Sequence, residues 1–192
     1  MEIQGSCDNK FLEVKEMFES LHSSGREVGS SFAMYKDGKA LIDIWGGYTD
    51  KQKTNPWSRN SLATVWSTTK GVAALTCAIA VEKGLLDYEE KVSHYWPEFG
   101  CNGKEDITIG MLLSHQAGIC GSTTNNVHDY YNQQIMSEEL AAMSPIWKPG
   151  TASGYHSMTY GWLTSELIIR VTGKTLGTFY ADEIGNPNDI DF

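Results

Sequence analysis

Ser67 and Lys70, a serine and a lysine three residues apart, are the two side chains of this sequence best placed to do chemistry together. They begin a segment that we predict to be a helix from Ser67 to Lys83, and residues three apart on a helix lie on one face. The first turn of a helix carries unpaired N–H groups and the positive end of the dipole, which favour a developing oxyanion. The spacing therefore predicts a serine nucleophile activated by a lysine that accepts its hydroxyl proton.

The residues after this pair strengthen the interpretation. A serine followed three residues later by a lysine occurs by chance about once in 200 residues of ordinary composition, so the pattern means little alone. Here the segment 71–81 is small and apolar nearly all round, which predicts a buried helix. A hydroxyl and an ammonium group at the end of a buried helix are costly unless they serve a function.

A second proton carrier is needed for the leaving group in acyl transfer, and two tyrosines compete for that role. Tyr130-Tyr131-Asn132 fits a tyrosine-x-asparagine pattern more literally than Tyr155-His156-Ser157 does. The motif alone does not choose between them. The context favours Tyr155, because it lies in a turn bounded by glycine just before a predicted helix, where a phenol can be held still.

The histidines give no sign of a metal site. Their spacing contains neither H-x-x-x-H nor H-E-x-x-H, and we predict neither a bound metal nor a cofactor. A serine–histidine–aspartate triad is disfavoured as well, because the sequence has no G-x-S-x-G motif. His115 closes a predicted helix and is expected to form a hydrogen bond at a turn. The run Lys104-Glu105-Asp106 is expected to be a solvated charge cluster on the surface.

The composition excludes several partners. A length of 192 residues suffices for a domain with a hydrophobic core, and a net charge of −9 argues against binding to nucleic acid or to an anionic membrane. Four scattered cysteines without a C-x-x-C pair favour a reducing compartment. The first residues lack a basic region followed by an apolar run, and the longest apolar stretch is too short to span a bilayer. We therefore predict a cytoplasmic protein with no membrane span.

The rest of the pattern indicates one hairpin and several helices. Two apolar runs flank Lys36-Asp37-Gly38-Lys39, which predicts a β-hairpin. Since a lone hairpin is marginally stable, the chain is expected to be one half of a larger fold. Thr108 is expected to cap one helix, and Gly173 to end another. The predicted strands are 31–35 and 40–45, and the predicted helices are 10–22, 67–83, 107–114, 138–143, 160–171 and 176–183.

Several segments occur in an order that carries a family resemblance. These segments are 65–71, 84–87, 95–99, 107–109, 112–118, 147–150 and 155–163. Together they resemble the serine β-lactamase-related family over residues 28–192. The nearest branches are class C β-lactamase-like proteins and family VIII carboxylesterases. The serine–x–x–lysine motif is typical of serine β-lactamases and penicillin-binding proteins.

The resemblance implies an α/β (α+β) fold of the β-lactamase/transpeptidase type. In this fold an antiparallel sheet with flanking helices adjoins a helical region. It implies a single partial domain over 1–192, with an N-terminal helix and hairpin at 10–47 and the helical region with the serine–lysine motif at 60–185. Family members continue for as long again, and that part carries most of the sheet, a third motif and a second oxyanion donor.

The resemblance also implies roles for four residues. Ser67 would be the acylated nucleophile, Lys70 the base that activates it, and Tyr155 the group that shares this proton and passes it to the leaving group. The backbone N–H of Ser67 would form one arm of an oxyanion hole. Ser157 stands where the family often has asparagine, so as a substrate-binding residue it favours an ester over a β-lactam.

Two functions follow from these implications. The first is a serine hydrolase, an esterase or β-lactamase-like enzyme, that acts on a small-molecule ester or amide through an acyl-serine intermediate. The second is a catalytically inactive truncated protein that serves as a binding or assembly module. The second predicts exposed apolar surface along the 40–45 strand and self-association at that edge. A homo-oligomer, or a partner chain that supplies the C-terminal half, is the expected macromolecular assembly.

Overall fold

The computed structural model describes residues 2–192, and the chain divides into two compact units, 1–64 and 65–192. Within residues 2–64 the first unit is a three-stranded antiparallel sheet, in the order β1-β3-β2, with one α-helix. Its elements are β1 (Gln4–Cys7), α1 (Leu12–Ser23), β2 (Gly29–Lys36) and β3 (Lys39–Gly47). The helix predicted over 10–22 is therefore present as α1, preceded by a short 3-10 turn.

The hairpin of β2 and β3 forms where the sequence predicts it. Asp37 and Gly38 make the two-residue turn, with φ of 51° and 74°, and Lys36 pairs with Lys39. Positive φ at both turn residues gives the turn the twist that matches antiparallel strands, which is why an Asp-Gly pair favours this geometry. The predicted hairpin is confirmed.

The strand β3 lies in the centre of its sheet, paired with β2 on one side and with β1 on the other. Its alternate residues Ile42 and Ile44 are fully buried and form a small core with Ile3. The expectation that the 40–45 strand is an exposed edge is therefore wrong. The open edges of this sheet belong to β1 and β2.

The strand β1 was not expected from the sequence, because Gln-Gly-Ser-Cys shows no apolar alternation. Its conformation is defined by pairing with β3, in which Gly5 lies opposite Ile44. Gly5 permits the close approach, since it has a φ of 99° and a Cβ atom there would lie 2.0 Å from the carbonyl oxygen of Asp43. Pairing partners, rather than local pattern, therefore specify this strand.

The second unit consists of α-helices around the larger of the two cores. The helices are α2 (Thr68–Glu82), α3 (Val92–Tyr95), α4 (Ile109–Leu113), α5 (Gln133–Ala142), α6 (Thr159–Thr172) and α7 (Leu176–Tyr180). Shorter helical turns cover Pro97–Phe99, Val127–Tyr131, Ala181–Gly185 and Asn186–Asn188. The largest apolar side chains that are almost fully buried in this core include Trp96, Phe99 and Leu163.

Two of the predicted helix ends are confirmed in detail. The Thr108 side chain caps α4 by accepting the backbone N–H of Met111 at 3.2 Å. Gly173 ends α6 in the left-handed conformation, with a φ of 72°. The helix α5 begins earlier than predicted, because Asn132 caps it by accepting the N–H of Ile135 at 3.2 Å.

The helix α2 is buried on one face only. Ala73, Cys77 and Ala80 are buried, whereas Gly71 is exposed and Leu75 is 49% exposed. The expectation of burial nearly all round is therefore wrong within the described part of the chain. An apolar periodicity shows which faces could be covered, and it does not show which neighbour covers them.

Lys104 is fully buried, so the expectation of a solvated charge cluster is wrong for this residue. Its ammonium group donates to the backbone oxygen of Cys101 at 2.9 Å and to the backbone oxygen of Met143. Burial lowers the pKa of Lys104. Its neighbours Glu105 and Asp106 are exposed, as expected. One of these two carbonyl groups belongs to Met143, which is 39 residues away in the chain. The local run of charged residues therefore gives no sign that Lys104 is buried.

None of the helices within residues 2–192 combines the length and the apolarity that crossing a membrane requires. Across the same residues, the histidine, cysteine, aspartate and glutamate side chains form no group of three or more that could hold a metal ion.

Candidate active site

Ser67 lies at the N-terminal end of α2, with its side chain exposed. The N–H groups of Thr68 and Thr69 already bond back to the carbonyls of Val65 and Trp66, at 3.1 and 3.0 Å. No backbone carbonyl in residues 2–192 accepts the N–H of Ser67. An accessible hydroxyl and an unpaired N–H therefore meet at the positive end of the helix.

The backbone just before Ser67 is strained. Trp66 has a φ of 48°, in the left-handed region, and its side chain is 83% exposed. For a bulky residue this conformation costs on the order of 1–3 kcal/mol, and such strain clusters at functional sites. The turn presents Ser67 to solvent at the helix end.

Lys70 and Tyr155 both face the Ser67 hydroxyl. The Nζ atom of Lys70 lies 3.3 Å from Oγ of Ser67, in hydrogen-bonding distance, and 5.0 Å from the centroid of the Tyr155 ring. Hydrogen bonding from Ser67, and then from Lys70, lowers the pKa of Tyr155. The fold thus brings together three groups that can exchange protons, two from α2 and one from the segment before α6.

The other candidate tyrosine lies elsewhere in the second unit. Tyr130 belongs to the 3-10 turn Val127–Tyr131, and its ring packs on Trp162 with the centroids 5.4 Å apart. Its backbone oxygen accepts the indole N–H of Trp162 at 3.3 Å. These contacts of Tyr130 are with Trp162, and neither Ser67 nor Lys70 is among them.

Ser157 is exposed two residues after Tyr155. Its backbone N–H donates to the carbonyl of Tyr155 at 3.0 Å, which tightens the turn before α6. Its proposed contact with substrate stays a prediction.

Two histidines lie beside this cluster, and sequence reasoning identified the setting of only one. His115 forms hydrogen bonds at a turn, as predicted, and its Nδ1 accepts the backbone N–H of His156 at 3.1 Å. His156 is fully buried, and its Nε2 accepts the N–H of Ile119 at 3.1 Å. The only signal for His156 in the sequence is its place next to Tyr155.

The family of the chain follows from comparison with known proteins. The family model for Beta-lactamase matches residues 14–192, so the chain belongs to the beta-lactamase family. The family resemblance and the β-lactamase/transpeptidase-like fold predicted from the sequence are confirmed.

Individual relatives agree with this assignment. The chain is 38% identical over 187 residues to the esterase/beta-lactamase LipL of Mycobacterium tuberculosis, a match that covers 97% of this chain and 43% of LipL. Among solved structures, a family VIII carboxylesterase is 41% identical with a TM-score of 0.89, over 97% of this chain and 52% of that chain. A penicillin-binding protein homologue from Caulobacter crescentus is 38% identical with a TM-score of 0.90, over 97% and 51% of the two chains. The chain therefore spans about half the length of these relatives.

Proposed function

We propose that this protein is a serine hydrolase that forms an acyl intermediate on Ser67. The observation that supports this most strongly is the meeting of Ser67, Lys70 and Tyr155, within a chain that belongs to the beta-lactamase family. A hydroxyl at a helix N-terminus, 3.3 Å from an amine that itself lies 5.0 Å from the centroid of a phenol ring, has both a route for its proton and a site for the oxyanion.

The chemistry divides into two steps. Oγ of Ser67 attacks the carbonyl carbon of an ester while its proton moves to Nζ of Lys70, which must be in its neutral amine form to accept it, and the N–H of Ser67 binds the oxyanion. The tetrahedral intermediate expels an alkoxide, which takes a proton from the Tyr155 hydroxyl, and Lys70 returns a proton to Tyr155. The lowered pKa of Tyr155 makes its phenol a readier proton donor than an ordinary tyrosine. Water then attacks the acyl-serine along the same proton route and releases the acid.

We place esters first among the substrates. Two of the similar proteins bear names of esterases, LipL and the family VIII carboxylesterase. Ser157 offers a hydroxyl where a side-chain amide would suit an amide or β-lactam substrate, and it is exposed beside Tyr155. The substrate class proposed is therefore a small-molecule carboxylic ester.

Hydrolysis of a chromogenic ester, p-nitrophenyl butyrate, tests this function. We expect turnover by the 192-residue chain and none above background by Ser67→Ala. The matched control is Ser20→Ala, which removes an exposed hydroxyl from α1 and is expected to keep the activity. Unchanged hydrolysis in Ser67→Ala would overturn the proposal. A folded wild-type chain without any turnover would instead favour an inactive binding or assembly module.

A further inference from the structure

We propose that His115 and His156 form a pair of neutral imidazoles, in opposite tautomers, that positions Tyr155 against Ser67 and Lys70. The proposal rests on the function proposed above for its catalytic meaning, and its geometry stands independently. Both histidines are positioning residues, because they act through Tyr155 and not on a substrate.

His115 holds the backbone on both sides of Tyr155. It follows α4 with a φ of 64°, a left-handed conformation that turns its carbonyl and its ring toward the same segment. The carbonyl accepts the N–H of Gly154 at 3.0 Å, and Nδ1 accepts the N–H of His156 at 3.1 Å. Since Nδ1 serves as the acceptor, a neutral His115 must carry its proton on Nε2.

His156 secures the same segment from the buried side. Its Nε2 accepts the N–H of Ile119 at 3.1 Å, so its proton lies on Nδ1. That Nδ1–H donates to the carbonyl of Gly154 at 2.6 Å. The Thr159 hydroxyl donates to the carbonyl of Ile119 at 2.6 Å, so the start of α6 and the His156 ring both bond to the backbone of Ile119. The two imidazoles therefore require opposite tautomers.

Ring packing extends the restraint from the backbone to the phenol. The His115 ring lies with its centroid 5.3 Å from the Tyr155 ring and 4.9 Å from the Tyr160 ring. Tyr155 is 56% exposed, so few other contacts limit its rotation. The exposed phenol therefore has the tilted His115 ring beside it, and Nζ of Lys70 lies 5.0 Å from its centroid.

Protonation would dismantle the pair, because an imidazolium has no acceptor nitrogen. The ionisable groups facing His115 are Lys70 of α2, Tyr155 and His156 of the connecting segment, and Tyr160 of α6. Burial, followed by the charge of Lys70, lowers the pKa of His115. Burial lowers the pKa of His156 as well, against the opposing hydrogen bond to Gly154. Both rings therefore stay neutral near pH 7 and lose their acceptor roles only in acid.

Tautomers and the titration of Tyr155 test the pair without any need for activity. Long-range 1H–15N NMR of the 192-residue chain should show the proton on Nε2 in His115 and on Nδ1 in His156. The same tautomer in both rings would overturn the proposal. In 13C-tyrosine NMR, assigned with Tyr155→Phe, the pKa of Tyr155 should rise toward its ordinary value of 10.0 in His115→Ala. It should remain lowered in His115→Asn, whose amide oxygen can replace Nδ1 as acceptor, and in the exposed control His128→Ala. An unchanged Tyr155 titration in His115→Ala would contradict the positioning role.

Ester hydrolysis adds a catalytic readout. We expect kcat to fall about 10- to 100-fold in His115→Ala with little change in KM, as is usual when a catalytic group is misplaced by about 1 Å. His115→Asn should restore most of kcat and move the acid limb of the pH profile to lower pH. Equal kcat in His115→Ala and His128→Ala would overturn the proposal. If the wild-type chain has no turnover, the proposed function fails, and the NMR results alone decide whether the histidine pair positions Tyr155.

Discussion

Two lysines of the second unit follow a nucleophilic side chain by three residues, and their surroundings differ. Lys70 follows Ser67, and Lys104 follows Cys101. The half-buried Lys70 donates to the Ser67 hydroxyl at 3.3 Å and faces Tyr155. Hydroxyl groups can both give and accept a proton, so protons can pass through this cluster.

The main partners of the Lys104 ammonium group are backbone carbonyls, which accept hydrogen bonds from it and do not exchange protons with it. Its ammonium group is buried and donates to the backbone oxygens of Cys101 and Met143, while the Cys101 sulfur lies 4.0 Å away. A carbonyl oxygen accepts hydrogen bonds and has no proton to give. The same spacing on the chain thus places Lys70 beside a hydroxyl and a phenol, and Lys104 beside two backbone carbonyls. The groups around the nitrogen, rather than the spacing, distinguish the two.

Of the changes at the two lysines, Lys70→Met should show the larger effect on hydrolysis. If Lys70 is the base, the rate of ester hydrolysis should fall by about 10²- to 10⁴-fold, the usual contribution of general base catalysis. The melting temperature should change little, because Lys70 is only half-buried. Hydrolysis within a factor of about three of wild type, in a variant that melts normally, would remove Lys70 from the mechanism.

Lys104→Met should show the reverse. The Met143 carbonyl would lose its donor, while the Cys101 carbonyl would keep only the backbone N–H of Lys104 at 3.1 Å, so the free energy of unfolding should fall by about 2 kcal/mol in urea denaturation. Hydrolysis per folded molecule should be unchanged. The exposed Lys148→Met is the control and should alter neither quantity. Loss of activity in Lys104→Met without loss of stability would break the distinction between the two lysines.

Acid should weaken the second unit through His115 and His156. His115 and His156 have folded-state pKa values lowered from the ordinary 6.5. Between those lowered values and 6.5 the unfolded chain binds more protons, so this contribution to stability is complete above pH 6.5 and is lost as the pH falls. Urea denaturation at pH 7 and pH 5 should show a smaller decrease for His115→Asn than for wild type. Equal decreases would argue against His115 as the titrating group.

Cys101→Ala should show the smallest effect and sharpen the comparison. A sulfur 4.0 Å from the ammonium group is a weak partner, and Lys104 keeps both of its carbonyl acceptors. The free energy of unfolding should fall by less than about 1 kcal/mol in urea denaturation, and hydrolysis should be unaffected. Ser67→Ala, the equivalent change beside Lys70, is expected to abolish hydrolysis. A strong effect of Cys101→Ala on hydrolysis would give the second pair a chemical role.

Features set by neighbouring residues could be predicted from the sequence. The turn at Asp37-Gly38, the cap at Thr108 and the end of α6 at Gly173 each depend on local backbone preferences. The approach of Lys70 to Ser67 belongs to the same class, because helix geometry brings residues three apart together.

Features set by distant residues were predicted incompletely or not at all. β1 forms because it pairs with β3. Lys104 can be buried because the carbonyl oxygen of Met143 accepts a hydrogen bond from its ammonium group. The orientation of Tyr155 depends on His115 and His156, which join segments far apart in the chain. Here the sequence supplied the family resemblance and a preference for one tyrosine, and the contacts came only with the fold.

The most direct test of the account is the intact mass of the chain after incubation with a serine-reactive fluorophosphonate, for wild type and for Ser67→Ala. The account predicts a single adduct on the wild-type chain, mapped to Ser67, and no adduct on the variant. This result would show that the Ser67 hydroxyl is activated by its surroundings. A folded wild-type chain that gains no adduct, or an adduct that persists in Ser67→Ala, would contradict the central claim.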